Sequence, residues 1–242
     1  MTDDRKDRLR PYRDKRRFDE TPEPDGPEPE GAVPPADGRL AFVVQKHDAT
    51  RLHWDFRLEW RGVLLSWAVT RGPSADPSEK RLAVRTEDHP LDYAAFEGTI
   101  PKGNYGAGTV MLWDRGVWSP LHDPDEGLRQ GKLHFTLDGA RMTGGWGLVR
   151  MRPRKGTRGR EETRENWLLV KESDAEALED PEALVRDHMT SVTTGRDMAA
   201  IAAGEGDRRR TRPNPAFHPP QLAQLATRIP EGGDWWQDRK GT

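Results

Sequence analysis

The sequence contains no cysteine. Disulfides, thiolate metal ligands and a cysteine nucleophile are therefore excluded, and the chain fits a reducing compartment. Long apolar runs are missing as well; none approaches the roughly 18 residues that a membrane-spanning helix needs. Residues 1–17 mix both charges densely and have no apolar stretch, so they do not read as a secretory signal. These absences predict a soluble, cytoplasmic protein with no membrane partner. An excess of one charge is also lacking: 39 Lys and Arg face 41 Asp and Glu, a net charge of −2. No global basic field exists, so an anionic partner must be met by local basic clusters. Apolar residues are scarce, at 33% of the chain, and mean hydropathy is −0.94. For 242 residues this predicts one core diluted by polar segments.

Within that polar chain stand nine tryptophans, a sign of a packed core or of stacking surfaces. Residues 1–39 are charged and then Pro/Glu-rich, which predicts a disordered arm. Residues 40–172 carry eight short segments rich in β-branched and aromatic residues: 40–45, 52–58, 63–69, 81–86, 109–113, 132–137, 147–151 and 167–171. Gly, Pro and Asp punctuate most of the gaps. Many short strands without long amphipathic helices predict a mainly β protein, a barrel or sandwich, and argue against a doubly wound α/β fold. Short helical patterns at 175–178, 181–188 and 196–203 predict a helical extension over 173–207. A basic and then Pro-rich tail follows over 208–242.

The run Leu52-His-Trp-Asp-Phe-Arg-Leu58 alternates strictly. On a strand, His53, Asp55 and Arg57 share one face while Leu52, Trp54, Phe56 and Leu58 share the other. Upstream, Gln45-Lys-His-Asp48 adds a second imidazole, and a turn through Ala49-Thr-Arg51 brings His47 beside His53. Two His and one Asp form a plausible ligand set for a metal with open positions, where a phosphoryl oxygen is polarised and water activated. Arg57 suits a bidentate grip on phosphate. Pattern alone reads equally well as polar residues on a solvated sheet face.

Three further features stand out. Glu87-Asp-His-Pro90 closes a strand, and a helical turn places Tyr93 four residues after His89. Strand ends often carry catalytic groups, although a plain turn and a packed tyrosine fit the same pattern. Gly98-Thr-Ile-Pro-Lys-Gly-Asn-Tyr-Gly-Ala-Gly108 is glycine-rich. It lacks the Gly-Lys-Ser/Thr ending of a phosphate loop and reads as a tight structural loop. The basic stretch 152–164 reads as a solvated loop or a nucleic-acid contact.

The run from Phe42 to Glu59 (FVVQKHDATRLHWDFRLE) resembles the signature of the 3′-phosphoesterase domain of bacterial DNA ligase D. The similarity continues through Ser66–Ser74, Arg81–Gly103, Tyr105–Gly108 and Trp167–Lys171, and covers roughly residues 12–172. The resemblance implies a compact closed β-barrel with a few short helices. It also implies a manganese-dependent (or other divalent-metal-dependent) hydrolase that removes a terminal ribonucleoside and then the 3′-phosphate from DNA or RNA/DNA primer–template ends. The setting it implies is double-strand break repair by non-homologous end joining, alongside Ku and a separate polymerase and ligase. Carried over by residue, His47, His53 and Asp55 are metal ligands, Arg57 and His89 contact the phosphate, and Gln45, Arg81, Glu87 and Tyr93 support the site. In the N-terminal arm, Lys15-Arg-Arg-Phe18 and Thr21-Pro-Glu-Pro24 align with the family pattern and give Arg16 and Glu23 as site residues.

Two positions depart from the family pattern. Arg17 stands where the arm has Asp, and Arg71 where Lys often precedes Gly-Pro; both bear more on ribonucleoside removal than on the phosphatase step. Pro219–Leu225 and Gly233–Trp235 resemble the lead-in to a ligase adenylation domain, and Lys240 falls near its adenylated lysine. The sequence ends two residues later, so ligase activity is not expected. The competing reading is a non-catalytic DNA-end-binding module. A two-metal nuclease is disfavoured by the missing acidic cluster.

Overall fold

The computed structural model describes residues 8–26, 40–152 and 165–205. The predicted strand segments fold as β1 (Leu40–Asp48), β2 (Leu52–Trp60), β3 (Val63–Val69), β4 (Arg81–Arg85), β7 (Gly108–Pro120), β8 (Lys132–Gly139), β9 (Thr143–Arg150) and β10 (Asn166–Lys171). They pair antiparallel in the order β1-β2-β3-β4-β10-β9-β8-β7, and β7 pairs back onto β1. The sheet is thus a closed eight-stranded barrel with no open edge to protect. Two short strands were not foreseen: β5 (His89–Pro90) adds to β3, and β6 (Gly98–Ile100) adds to β7. The β2–β3 turn is Arg61-Gly62, with φ of 50° and 80°. Two consecutive positive φ values match the twist of a tight hairpin.

One core cluster draws on every barrel strand. It includes Phe42 and Val44, Trp54 and Phe56, Leu65 and Trp67, Ala83, Met111 and Trp113, Phe135, Trp146 and Leu148, and Trp167 and Leu169. These alternate along each strand, so they are the inward face, and an eight-stranded barrel is just wide enough to be filled by such side chains. The tryptophans Trp67, Trp113, Trp118, Trp146 and Trp167 are fully buried. Because the interior is filled, any reactive site must lie on the outer face. A second cluster forms there: Val43, Leu64, Val110 and Leu112, of opposite parity to the inner set, are covered by Tyr12, Tyr93, Phe96 and Ile100.

Several sequence expectations need correction. β7 runs on to Pro120, well past the expected segment 109–113. Asp114 is buried and accepts backbone N–H bonds from Arg115, Arg141 and Met142, which holds the strand to the β8–β9 turn where its register shifts. The pattern at 175–178 forms a turn, not a helix. The patterns at 181–188 and 196–203 give α3 (Ala183–Arg186) and α4 (Met198–Ala202), preceded in the chain by the unforeseen α1 (Arg10–Arg13) and α2 (Pro124–Gln130). Leu184 and Ile201 join the barrel core, so this extension is tied into it.

The largest correction concerns the arm. Residues 8–26 are ordered against the barrel's outer face. Leu9 and Tyr12 are buried, and Glu23 is 4% exposed. Composition reads this stretch as polar, but its charges are consumed in ion pairs and its few apolar groups face inward. The tail expectation, the Lys240 alignment and residues 153–164 lie outside the described residues.

Candidate metal centre and phosphate site

The site grows from the β1–β2 hairpin. Its register pairs His47 with His53, Gln45 with Asp55 and Val43 with Arg57. The three-residue turn 49–51 therefore puts both imidazoles and the carboxylate on the outer face, and the two rings lie 4.8 Å apart. His47 Nδ1 is 3.5 Å from Asp55 Oδ2, and His53 Nε2 is 3.7 Å from Asp55 Oδ1. One ligand atom from each of the three lies within 4.8 Å of the others.

The second nitrogen of each ring is already engaged. His47 Nε2 lies 2.9 Å from the Gly106 carbonyl, and His53 Nδ1 lies 2.8 Å from the Arg51 carbonyl. A nitrogen facing a carbonyl oxygen must carry the proton. That leaves His47 Nδ1 and His53 Nε2, the two nitrogens that face Asp55, as the atoms a metal would meet. Metal-binding histidines are oriented in this way, by donating their other N–H to an outer acceptor. Burial alone raises Asp55, yet Arg57, with His47 and His53, holds its carboxyl well below the usual carboxylate range. The donor set of two imidazoles and one carboxylate fits a divalent transition metal.

Beside this cluster Arg57 is 2% exposed. Its Nε donates to Gln45 at 2.7 Å, its Nη1 to Ser66 at 2.8 Å and its Nη2 to Asp55 at 3.1 Å. Gln45 in turn donates to the carbonyls of Tyr93 and Phe96. His89 Nδ1 meets the Glu87 carbonyl at 2.9 Å, Ser66 Oγ at 3.3 Å and Arg57 Nη1 at 3.0 Å, while Nε2 faces Arg16 Nη2 at 3.4 Å. The Nδ1–H tautomer suits Glu87 and Ser66 and leaves Nε2 to accept from Arg16. Burial, then Arg57 and Arg16, push His89 well below the ordinary imidazole range, so it is neutral at neutral pH.

The N-terminal segment completes the wall. Arg16 donates to Glu23 at 2.9 Å and to Glu87 at 3.1 Å, and its guanidinium carbon lies 3.9 Å from the Tyr12 ring centroid. Glu23 also accepts from Thr21 and, at 3.0 Å, from the Tyr93 hydroxyl. Tyr93 therefore spends its hydroxyl on Glu23. Lys15 binds Glu87 at 2.9 Å.

The structure brings together ten of the residues read from sequence: His47, His53, Asp55, Arg57, Gln45, His89, Glu87, Tyr93, Glu23 and Arg16. Arg81 stands apart. It is buried on β4, where it binds the Pro181 carbonyl at 2.7 Å and Glu182 at 3.0 Å and lies 3.3 Å from Glu79. It ties the C-terminal extension to the barrel, and none of its described bonds reaches the cluster. Arg71 joins Glu182 on that same side. Sequence reasoning missed Ser66, Tyr12, Lys15 and the Gly106 carbonyl. Ser66 had a signal: it is the lone hydroxyl in Val63-Leu-Leu-Ser-Trp-Ala-Val69, and the register sets it opposite Arg57.

Comparison with known proteins fits this geometry. Residues 45–150 match the family model of the DNA Ligase D 3′-phosphoesterase domain. The multifunctional non-homologous end joining protein LigD of Pseudomonas aeruginosa is 45% identical over 243 aligned positions, covering 96% of this chain. The chain carries a domain of the DNA ligase D 3′-phosphoesterase family. A LigD of Mycobacterium tuberculosis is 45% identical over 146 positions, covering 60% of the chain, and one of Mycolicibacterium smegmatis is 39% identical over 176, covering 69%. The chain spans only 28%, 18% and 21% of the length of these relatives. The phosphoesterase match includes the whole β1–β2 ligand hairpin from Gln45 onward, Arg57, Ser66 and His89. It excludes the N-terminal segment that supplies Arg16 and Glu23, and β10 with its extension. No helix among the described residues is long and apolar enough to cross a membrane.

Proposed function

We propose that this chain is a metal-dependent phosphoesterase acting at the 3′ ends of DNA and of RNA/DNA primer–templates, as a 3′-phosphatase and a 3′-ribonucleoside-removing hydrolase. The observation that carries the reading is the His47–His53–Asp55 cluster, with one nitrogen of each ring held by the Gly106 and Arg51 carbonyls and the other turned toward Asp55. A divalent metal such as Mn²⁺, when bound there, polarises a phosphoryl oxygen and acidifies a water molecule.

The remaining chemistry belongs to the protein. Three of the five Arg57 N–H groups donate to Gln45, Ser66 and Asp55, so the guanidinium is held before substrate arrives. Its charge is aimed at developing negative charge on the phosphoryl group, where preorganised donors are most effective. Arg16, held by Glu23 and Glu87, adds a second cation beside His89. Between these cations His89 is neutral, but a bound phosphate dianion favours its protonated form. His89 Nε2 is then the atom from which a proton passes to the leaving 3′ oxygen.

The names of the relatives support a setting in non-homologous end joining; DNA ends as substrate, Ku, a polymerase and a ligase as partners, and the bacterial cytoplasm as location complete the proposal. A non-catalytic end-binding module has no need of an oriented ligand trio, which favours the enzyme. The test incubates the protein with Mn²⁺ and a primer–template bearing a 3′-phosphate. Phosphate release that His53→Ala abolishes is the expected result; equal release by that variant overturns the reading.

A further inference from the structure

One exposed ring stands beside the cluster and has no part in the chemistry above. Tyr105, in the β6–β7 loop, is 47% exposed, the only exposed Phe, Tyr or Trp among the described residues. Its neighbour Gly106 supplies the carbonyl that orients His47. On its other side the Arg16 guanidinium carbon lies 5.3 Å from the ring centroid, and Arg16 also reaches His89. Lys15 Nζ lies 4.9 Å from the same centroid and 3.4 Å from the hydroxyl. The ring thus stands beside Arg16, which reaches His89, and its loop touches the metal ligand His47.

The loop that carries the ring is braced. Gly106 has φ of +73°, and Gly108, at +146°, packs so closely on the β1–β2 turn that a Cβ there would meet the Asp48 carbonyl at 2.3 Å. A rigid loop presents the ring with little ordering cost on binding. A phosphate ester seated among the metal ligands, Arg57 and His89 brings its own nucleoside against the surface beside them. On the side that carries Tyr105, that nucleoside meets a half-exposed aromatic ring with two cations over it. This is the pairing by which single-stranded nucleic acid is held: bases stack on aromatic side chains and the backbone meets positive charge.

We propose that Tyr105 is a binding residue that stacks on the nucleobase of the terminal 3′ nucleotide. The inference rests on the site assignment given under Proposed function and adds the recognition of the nucleoside. Every base offers a π face, so stacking here favours a base over no base without selecting among the four.

The test compares KM on two primer–templates that differ only at the 3′-phosphorylated terminal residue, a normal nucleotide in one and a tetrahydrofuran abasic residue in the other. Wild type favours the base-containing end by roughly 5- to 100-fold in KM, the usual worth of one stacked base. In Tyr105→Ala this ratio falls to near one, and Tyr105→Phe and Tyr105→Trp keep it. If the ratio in Tyr105→Ala equals that of wild type, or if wild type shows no preference, the proposal is overturned. A ring that only clasps Lys15 through its hydroxyl predicts instead that Tyr105→Phe behaves as Tyr105→Ala. A terminal 2-aminopurine supplies a readout independent of turnover. Wild type quenches its fluorescence on binding and Tyr105→Ala does not, whereas equal quenching by both overturns stacking even if no phosphate is released. Absence of phosphate release with the quenching difference intact counts against the catalytic reading alone.

Discussion

Replacing Tyr93 by Phe removes one oxygen and leaves the ring in place. The ring is 2% exposed and packs on Phe96 at 5.1 Å, on His89 at 4.8 Å and under the Arg57 guanidinium at 4.8 Å, contacts that Phe reproduces. The lost group is the hydroxyl that donates to Glu23 at 3.0 Å. Glu23 is buried and carries a charge, and a hydrogen bond to a charged group is worth about 1.5–3 kcal/mol. Glu23 keeps Arg16 and Thr21, so it is not orphaned, and the lower half of that range applies. We expect a loss of about 1.5–2 kcal/mol, or roughly 3–8 °C in Tm for a domain of this size. Urea unfolding followed by tryptophan fluorescence reads it as a lower midpoint at unchanged slope. An unchanged midpoint shows that Glu23 does not need the hydroxyl and refutes the account of how the N-terminal segment is anchored. A loss above about 4 kcal/mol belongs to cavity formation or an unpaired charge, and refutes it from the other side.

Arg57→Lys keeps the charge but cannot reproduce the fork to Gln45, Ser66 and Asp55. Phosphate release from a 3′-phosphorylated primer should fall about 100- to 1,000-fold, as for other lost transition-state donors. Gly106→Ala introduces no clash, its Cβ lying 3.8 Å from His47, but φ of +73° strains any L-residue. About 1–2 kcal/mol of stability should be lost, with weaker Mn²⁺ binding by calorimetry as the carbonyl is re-aimed. Asp114 is pushed up to about 6 by burial, against three backbone N–H donors. A carboxyl raised in the folded state adds stability that is full below its unfolded value near 3.8 and lost as pH rises through about 6. Wild type should therefore lose about 3 kcal/mol relative to Asp114→Asn between about pH 3.5 and 7.5, and parallel curves would count against the assignment.

The legibility of the sequence follows a physical division. The eight barrel strands were visible because each carries β-branched or aromatic residues between turn residues. The alternation of Leu52–Leu58 fixed which side chains share a face, and a three-residue turn left one register in which His47 meets His53. Contacts between segments distant in sequence were not visible. Arg16 reaches Glu87 across 71 residues, and Arg81 reaches Glu182 across 101. No local pattern reports such pairs, so the segment around Tyr12 read as disorder and the tie from Arg81 to Glu182 was not foreseen. The continuation of β7 beyond residue 113 was hidden for a related reason. The buried Asp114 captures backbone donors from another hairpin, a tertiary contact with no local signal.

Everything proposed for this site depends on His47, His53 and Asp55 together holding one divalent metal. Titration of the substrate-free protein with Mn²⁺, followed by electron paramagnetic resonance, decides it. One bound ion is expected in wild type, with loss of that site in both His53→Ala and Asp55→Asn. An unchanged stoichiometry and affinity in either variant would contradict it.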